Sequence, residues 1–219
     1  MRIDIVFDTV CPWCYVGKRR FDSALKLRPN LKPEIQYRTF LLNPDLPADG
    51  VDRQEFLERK FGSSHHYERV IETLIFTGKG EGINFALDKI DRTPNSANSH
   101  RLVRLAQTIG AQGQAVDALF AAYFERGMDI GNPEVLIQLA EEIGLDRQVA
   151  TKHMLSESDL NSVFNENARM HRLGVTGVPC YIFDESKAIS GAQEPEIIVR
   201  MLDMASAQEA EQPTLQSTG

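Results

Sequence analysis

The stretch Thr9-Val10-Cys11-Pro12-Trp13-Cys14 decides the reading of this chain, because of what stands on either side of it. Before it, Ile3-Asp4-Ile5-Val6-Phe7 is rich in β-branched residues and suits a buried strand. After it, Tyr15, Phe21, Ala24, Leu25 and Leu27 form a helical pattern that stops at Arg28-Pro29-Asn30, since proline cannot continue a helix. A C-x-x-C pair therefore sits between a strand and the start of a helix. Free N–H groups and the macrodipole at a helix N-terminus favour negative charge. A thiolate at Cys11 gains that stabilisation, which raises its reactive fraction. Pro12 lacks an N–H where none is needed. Cys14, one turn later, lies next to Cys11 and can form or resolve a disulfide with it. The competing reading is structural zinc, which normally needs four ligands. The only other cysteine is Cys180, and the His65-His66 pair stands in a helical region, so no ligand set of zinc-finger spacing exists.

Outward from the motif, Glu34 to Leu42 alternates and is aromatic, which predicts a second strand, and Asn43-Pro44-Asp45-Leu46-Pro47 breaks it. From Asp52 to Leu155 the pattern is almost entirely helical. Thr93 and Pro94 read as a helix cap and first turn, with Leu102, Leu105, Ala106 and Ile109 following until Gly110. Further helices are expected over Ala115–Phe124, from Asn132-Pro133 to Gly144, over Asp146–Leu155, and over Asp159–Leu173. Strands return at Val178–Phe183 and Ala188–Gly191, joined by a turn at Asp184–Lys187, and a closing helix runs from Pro195 to Met204. The order is β-α-β, a helical block, then β-β-α: an α/β unit with an insertion that caps one edge of its sheet. The implied division is a first α/β part over 1–46, a helical insertion over 47–156, a second α/β part over 157–207 and a flexible tail over 208–219. Pro179 enters the Val178–Phe183 strand. A cis bond would give it a positional meaning, but the sequence by itself favours an ordinary trans proline at a strand start.

Composition narrows the function. Of 219 residues, 42% are hydrophobic and 25% charged, which is ordinary globular usage and excludes a disordered, collagenous or disulfide-stapled chain. With 24 Lys+Arg against 31 Asp+Glu the net charge is −7, which lacks the electrostatic footprint of a nucleic-acid binder and repels anionic membranes. No apolar run approaches the roughly 20 residues needed to span a bilayer. Asp4 and Asp8 interrupt what would be the apolar part of a signal peptide, so a cytoplasmic location is expected. Three cysteines in that reducing compartment point to chemistry rather than structural bridges.

Cys11-Pro12-Trp13-Cys14 followed by Tyr15-x-Gly17-Lys18, with Gly177-Val178-Pro179 far downstream, resembles the DsbA-like thioredoxin family. Phe40-Leu41-Leu42-Asn43-Pro44, Pro94-Asn95-Ser96-Ala97-Asn98-Ser99-His100-Arg101 and Ser190-Gly191-Ala192-Gln193 extend the likeness to its cytosolic FrnE-like branch. That branch is related to 2-hydroxychromene-2-carboxylate isomerases and kappa-class glutathione transferases. The resemblance implies a thioredoxin-like fold with a large all-helical insertion, and a cis Val178-Pro179 facing the cysteines, with the Val178 backbone pairing with an extended thiol substrate. The isomerase and transferase relatives carry serine where Cys11 stands and orient glutathione with it. A chain that keeps both cysteines can cycle between dithiol and disulfide, so the expected function is thiol–disulfide exchange on a protein or small-molecule substrate. No cofactor is required. Asn95 and Ser190-Gly191 leave a glutathione-dependent isomerase or transferase as the alternative, with glutathione as substrate or co-substrate. Monomer and homodimer are both compatible with the sequence.

The resemblance makes Cys11 and Cys14 catalytic. It places Pro12, Trp13, Val178, Pro179, Asn95, His100 and Gly191 at the substrate, with Asp8 and Lys18 in support. Each has a blander reading. Asp8 either tunes the thiol, accepts a proton or caps the helix. Trp13 reads as an exposed apolar platform. Helical spacing puts His100 beside Val103 and Gln107 and off the main apolar stripe, where a surface or hydrogen-bonded histidine is as good a reading as a cleft residue. Alternation turns Cys180 away from the Pro179 side, as a buried small hydrophobe. His65, His66, His153 and His171 lack convincing partners, and Glu141-Glu142 reads as a solvated face.

Overall fold

The computed structural model describes residues 1–62 and 65–211. Strand β1 (Arg2–Phe7), helix α1 (Pro12–Lys26) and strand β2 (Glu34–Thr39) open the chain as a β-α-β unit. The interposed region holds β3 (Val51–Asp52), α2 (Arg53–Phe61), α3 (His65–Gly80), β4 (Arg92–Thr93), α4 (Ala97–Ala106), α5 (Gln112–Phe124), α6 (Pro133–Glu142) and α7 (Arg147–Met154). Helix α8 (Leu160–Arg172) leads back to β5 (Cys180–Phe183), β6 (Lys187–Ser190) and α9 (Pro195–Glu211). The sheet order is β2-β1-β5-β6. β1 and β2 are parallel, with Ile3 opposite Ile35, and β5 is antiparallel to both β1 and β6. This is a thioredoxin-like core with an inserted helical region.

Alternation along the strands separates two cores. Ile3, Ile5, Phe7, Tyr181 and Phe183 face α1 and α9, where they meet Tyr15, Phe21, Ile198 and Leu202. Val6 and Cys180 face the other way and pack with Phe40, Met170 of α8 and Val175. The inserted helices share the first core rather than building their own. The Tyr15 ring stacks on Phe120 of α5 with centroids 5.0 Å apart, and Phe7 meets Phe120 edge-on at 6.1 Å. Such aromatic pairs contribute about 0.5–1.5 kcal/mol each beyond the area they bury.

Two expectations are corrected. Thr93 does not cap α4, because it is spent in a two-residue antiparallel pairing, Val51 with Thr93 and Asp52 with Arg92; this pairing is also the one departure from an all-helical insertion among the described residues. The helix starts at Ala97 instead, after an Asn95 side chain that accepts the Ala97 N–H at 3.0 Å. The closing helix runs on to Glu211, so 208–211 are helical rather than tail. Ala207-Gln208-Glu209-Ala210-Glu211 is a run of strong helix formers. The rest of the expected tail, 212–219, lies outside the described residues.

Candidate active site

Cys11 is the N-cap residue of α1, with extended backbone and no side-chain cap hydrogen bond, and Pro12 follows in the first turn. Its sulfur thus stands where a Ser or Asp oxygen usually receives the free N–H groups of a helix start. Cys11 is 6% exposed and Cys14 2%, and both are free thiols. Burial, and after it the hydrogen bond with Cys11, pushes the Cys14 thiol well above the ordinary thiol range. Cys11 Sγ lies 3.8 Å from the Val178 carbonyl oxygen, across a gap of 167 residues in sequence.

The Val178-Pro179 bond is cis, the isomer that the resemblance implied and not the trans one that the bare sequence favoured. The isomers of an X-Pro bond differ by only about 0.5–1 kcal/mol, so the surroundings decide between them. Those surroundings are specific. The Pro179 carbonyl accepts the Gly191 N–H at 2.7 Å, and Gly191 has φ +87°, a left-handed value that suits glycine. Against the other side of Pro179 comes α1 at Gly17. A Cβ there would stand 2.8 Å from Pro179 Cγ and 2.5 Å from the Tyr181 hydroxyl. The glycine of Tyr15-x-Gly17-Lys18 is therefore what lets the cysteine helix and the proline segment touch.

Behind the cysteines lies a buried polar cluster. The Asp8 carboxylate, fully buried, accepts the Leu42 N–H at 2.7 Å, and His100 Nε2 lies 3.4 Å from its other oxygen, out of line for a hydrogen bond. His100 is 1% exposed, with its ring 5.0 Å from that of Phe7. This corrects the placement of His100 off the apolar stripe: the Phe7 ring and the Asp8 carboxylate stand against it. Thr9 and Ser99 hydroxyls meet at 2.6 Å and tie the motif loop to α4. Asp8 does not cap α1 with its side chain; its backbone carbonyl accepts the Cys11 N–H at 3.1 Å.

The remaining candidates divide. Trp13 is half-buried against the main core rather than standing free as an exposed platform. Val178 is half-buried and touches both cores. Asn95 spends its side chain within the fold, donating to the Leu46 carbonyl at 2.7 Å as well as accepting from Ala97. Lys18 is buried and pairs with Asp22 at 2.6 Å and Asp117 at 3.3 Å. Cys180 belongs to the opposite core and lines a cavity of about 360 Å³ with Met170, Ile182 and Lys187. His153 lies 3.9 Å from Asp159, and the His171 ring is 4.5 Å from Phe40, so each has a neighbour the sequence did not suggest. The side chains of His65 and His66 lie outside the described residues. Glu141 and Glu142 are exposed, paired with Arg147 and Arg126. Among the described residues no group of three or more His, Cys, Asp or Glu is placed to hold a metal ion, and no helix is long and apolar enough to cross a membrane.

Thr9, Gly17, Ser99 and Tyr181 were not singled out from sequence. Gly17 and Ser99 stand inside stretches that carried the family resemblance, which was the available signal; Tyr181 reads only as an apolar strand residue. The thiol environments make a prediction. Limiting iodoacetamide at neutral pH is expected to label Cys11 ahead of Cys14 and Cys180, whose thiols burial pushes up. Peptide mass spectrometry reads the order, and preferential labelling of Cys14 or Cys180 would contradict the assignment.

Comparison with known proteins agrees with this architecture. A probable DsbA oxidoreductase from Streptomyces coelicolor is 29% identical, superposes with a TM-score of 0.87, and the match covers 100% of this chain and 94% of that one. The cytosolic disulfide reductase DsbM from Pseudomonas aeruginosa, in its structure with GSH, is 16% identical with a TM-score of 0.66 over 96% of this chain and 98% of its own, a likeness of fold alone. The uncharacterized protein YwbO of Bacillus subtilis is 25% identical over 179 residues, 74% of this chain and 84% of that protein. With residues 2–203 matching the model of the DSBA-like thioredoxin domain, the chain belongs to that family.

Proposed function

We propose that this protein is a thiol–disulfide oxidoreductase whose working pair is Cys11 and Cys14, acting in the cytoplasm as a member of the FrnE-like branch. The observation that carries the reading is the position of Cys11 Sγ: at the N-cap of α1 and 3.8 Å from the carbonyl that precedes Pro179. The positive end of the helix favours an anionic sulfur there, and the Val178 backbone offers an edge for an extended substrate. The Cys11 thiolate attacks one sulfur of a substrate disulfide, forming a mixed disulfide and releasing the other sulfur as a thiolate. Cys14 loses its proton and attacks Cys11, forming the Cys11–Cys14 disulfide and releasing the second substrate thiolate. Two electrons pass from the dithiol to the substrate, and the reverse sequence oxidises a substrate dithiol. The substrate thiolate released in the first step takes up the Cys14 proton, while Asp8, fully buried with His100 Nε2 3.4 Å away, supports the site from behind.

Trp13, Pro12, Val178 and Pro179 form the substrate edge. Gly191 supports it by holding the Pro179 carbonyl. Asn95 and Lys18 act through the scaffold, since their polar groups are already engaged. That engagement ranks the glutathione-dependent isomerase or transferase second, because two of the groups it would use, the Asn95 side chain and the Gly191 N–H, are spent inside the fold. Glutathione remains a reasonable thiol co-substrate, as a reductase of the same fold carries GSH in its crystal structure. The test is reduction of insulin disulfides by the intact protein with dithiothreitol or glutathione, beside calorimetric titration with glutathione. Exchange well above the uncatalysed rate supports the oxidoreductase. Tight glutathione binding without insulin reduction supports the alternative.

A further inference from the structure

The hydroxyl of Tyr181 is buried and has no hydrogen-bond partner. A buried unpaired hydroxyl costs free energy, and each one in a folded protein calls for a physical reason. The ring is held firmly: it stacks on Phe21 at 5.5 Å with the planes 7° apart, and its strand is locked in register with Ile5 opposite Tyr181. The hydroxyl reaches the face of α1 that carries the resolving cysteine. It lies where a Gly17 Cβ would be 2.5 Å away, and Cys14 is three residues before Gly17, on the same side of the helix. After burial, the strongest influence on the hydroxyl is Cys14, and both push its ionisation up, so the O–H stays a donor across the working pH range.

We propose that Tyr181 is a positioning residue for resolution, its hydroxyl donating a hydrogen bond to the Cys14 sulfur when that sulfur becomes a thiolate. This rests on the oxidoreductase reading above. While both thiols are protonated, Cys14 has Cys11 as its partner. Once Cys11 is joined to a substrate sulfur, that partner is gone and the buried Cys14 must ionise to attack. The Cys14 electron pair then forms the Cys11–Cys14 bond, the Cys11–substrate bond breaks, and the substrate sulfur leaves with the pair and is reduced. A donor held beside that face of α1 lowers the cost of the charge when it appears. The orphan hydroxyl is then a donor kept for a thiolate that the resting dithiol does not contain.

Tyr181→Phe tests this, since it keeps the ring and its stacking and removes the oxygen. The reduced protein is mixed with a small aromatic disulfide, quenched with acid at successive times, and the mixed disulfide followed by intact mass. The expected result is unchanged formation of the Cys11 mixed disulfide and resolution slowed roughly tenfold, about what one hydrogen bond to a charged group supplies. The pH at which resolution is half-maximal moves upward, while the thermal midpoint of the reduced protein stays level or rises, because an unpaired polar atom has been removed. The groups facing Cys14 that set this profile are Cys11 on its own helix, Asp8 from the preceding loop and Tyr181 from β5; Asp22 and Arg20, farther along α1, act on Tyr181. Resolution at the parent rate with an unmoved pH profile would overturn the proposal and leave the oxidoreductase reading intact. Failure of the parent protein to form any mixed disulfide would instead overturn that reading itself.

Discussion

Cys11→Ser is expected to leave no disulfide exchange above background, while Cys14→Ser stops the cycle at its midpoint with the substrate attached to Cys11. The difference follows from the positions of the two sulfurs. Cys11 stands at the N-cap with its sulfur toward the Val178 carbonyl, so it meets the substrate first, and a hydroxyl there forms no disulfide. Cys14 is the more buried of the two, so its loss spares the attack and removes the resolution. Intact mass after incubation with a disulfide substrate shows the trapped adduct on Cys14→Ser and nothing on Cys11→Ser. The isomerase reading expects the reverse pattern: Cys11→Ser retains or improves glutathione-dependent turnover and Cys14→Ser is nearly silent. An active, glutathione-dependent Cys11→Ser protein would displace the oxidoreductase assignment.

Gly17→Ala is expected to destabilise the protein and weaken exchange together, although alanine in a helix interior ordinarily stabilises by about 0.5–1 kcal/mol over glycine. The added Cβ would stand 2.5 Å from the Tyr181 hydroxyl and 2.8 Å from Pro179 Cγ. Neither neighbour yields easily, since Phe21 stacks on the Tyr181 ring and Gly191 holds the Pro179 carbonyl. Overpacking of this kind costs about 1–3 kcal/mol, which outweighs the helix preference. The helix then backs away from the proline segment and the gap between Cys11 and the Val178 carbonyl widens. Urea unfolding of the reduced protein checks the stability, and insulin reduction checks the activity. A more stable Gly17→Ala protein with full activity would show that the close approach is not needed.

The cysteine helix, the strands at both ends and the helix start at Asn132-Pro133 are legible because each is written in a short run of residues. Thr93 has the look of a helix cap, but it pairs with Val51, on a segment some forty residues earlier that no local pattern reveals. Helix α9 runs past its apolar stripe over a stretch of strong helix formers, which hydrophobic periodicity does not mark.

By itself the sequence determined a redox-capable dithiol at the head of a helix, enclosed by β-rich ends and interrupted by helices. Strand periodicity, proline stops and the C-x-x-C spacing are local properties, encoded within a turn or two of where they act. Tertiary structure alone decided the burial of His100 behind Asp8 and the unpaired hydroxyl of Tyr181 under the cysteine helix. Each of these depends on groups far apart in the chain: Thr9 meets Ser99 across 90 positions, and Cys11 meets Val178 across 167. A local pattern carries no record of such meetings, because they are set by how the strands order themselves in the sheet and which helix face packs against them.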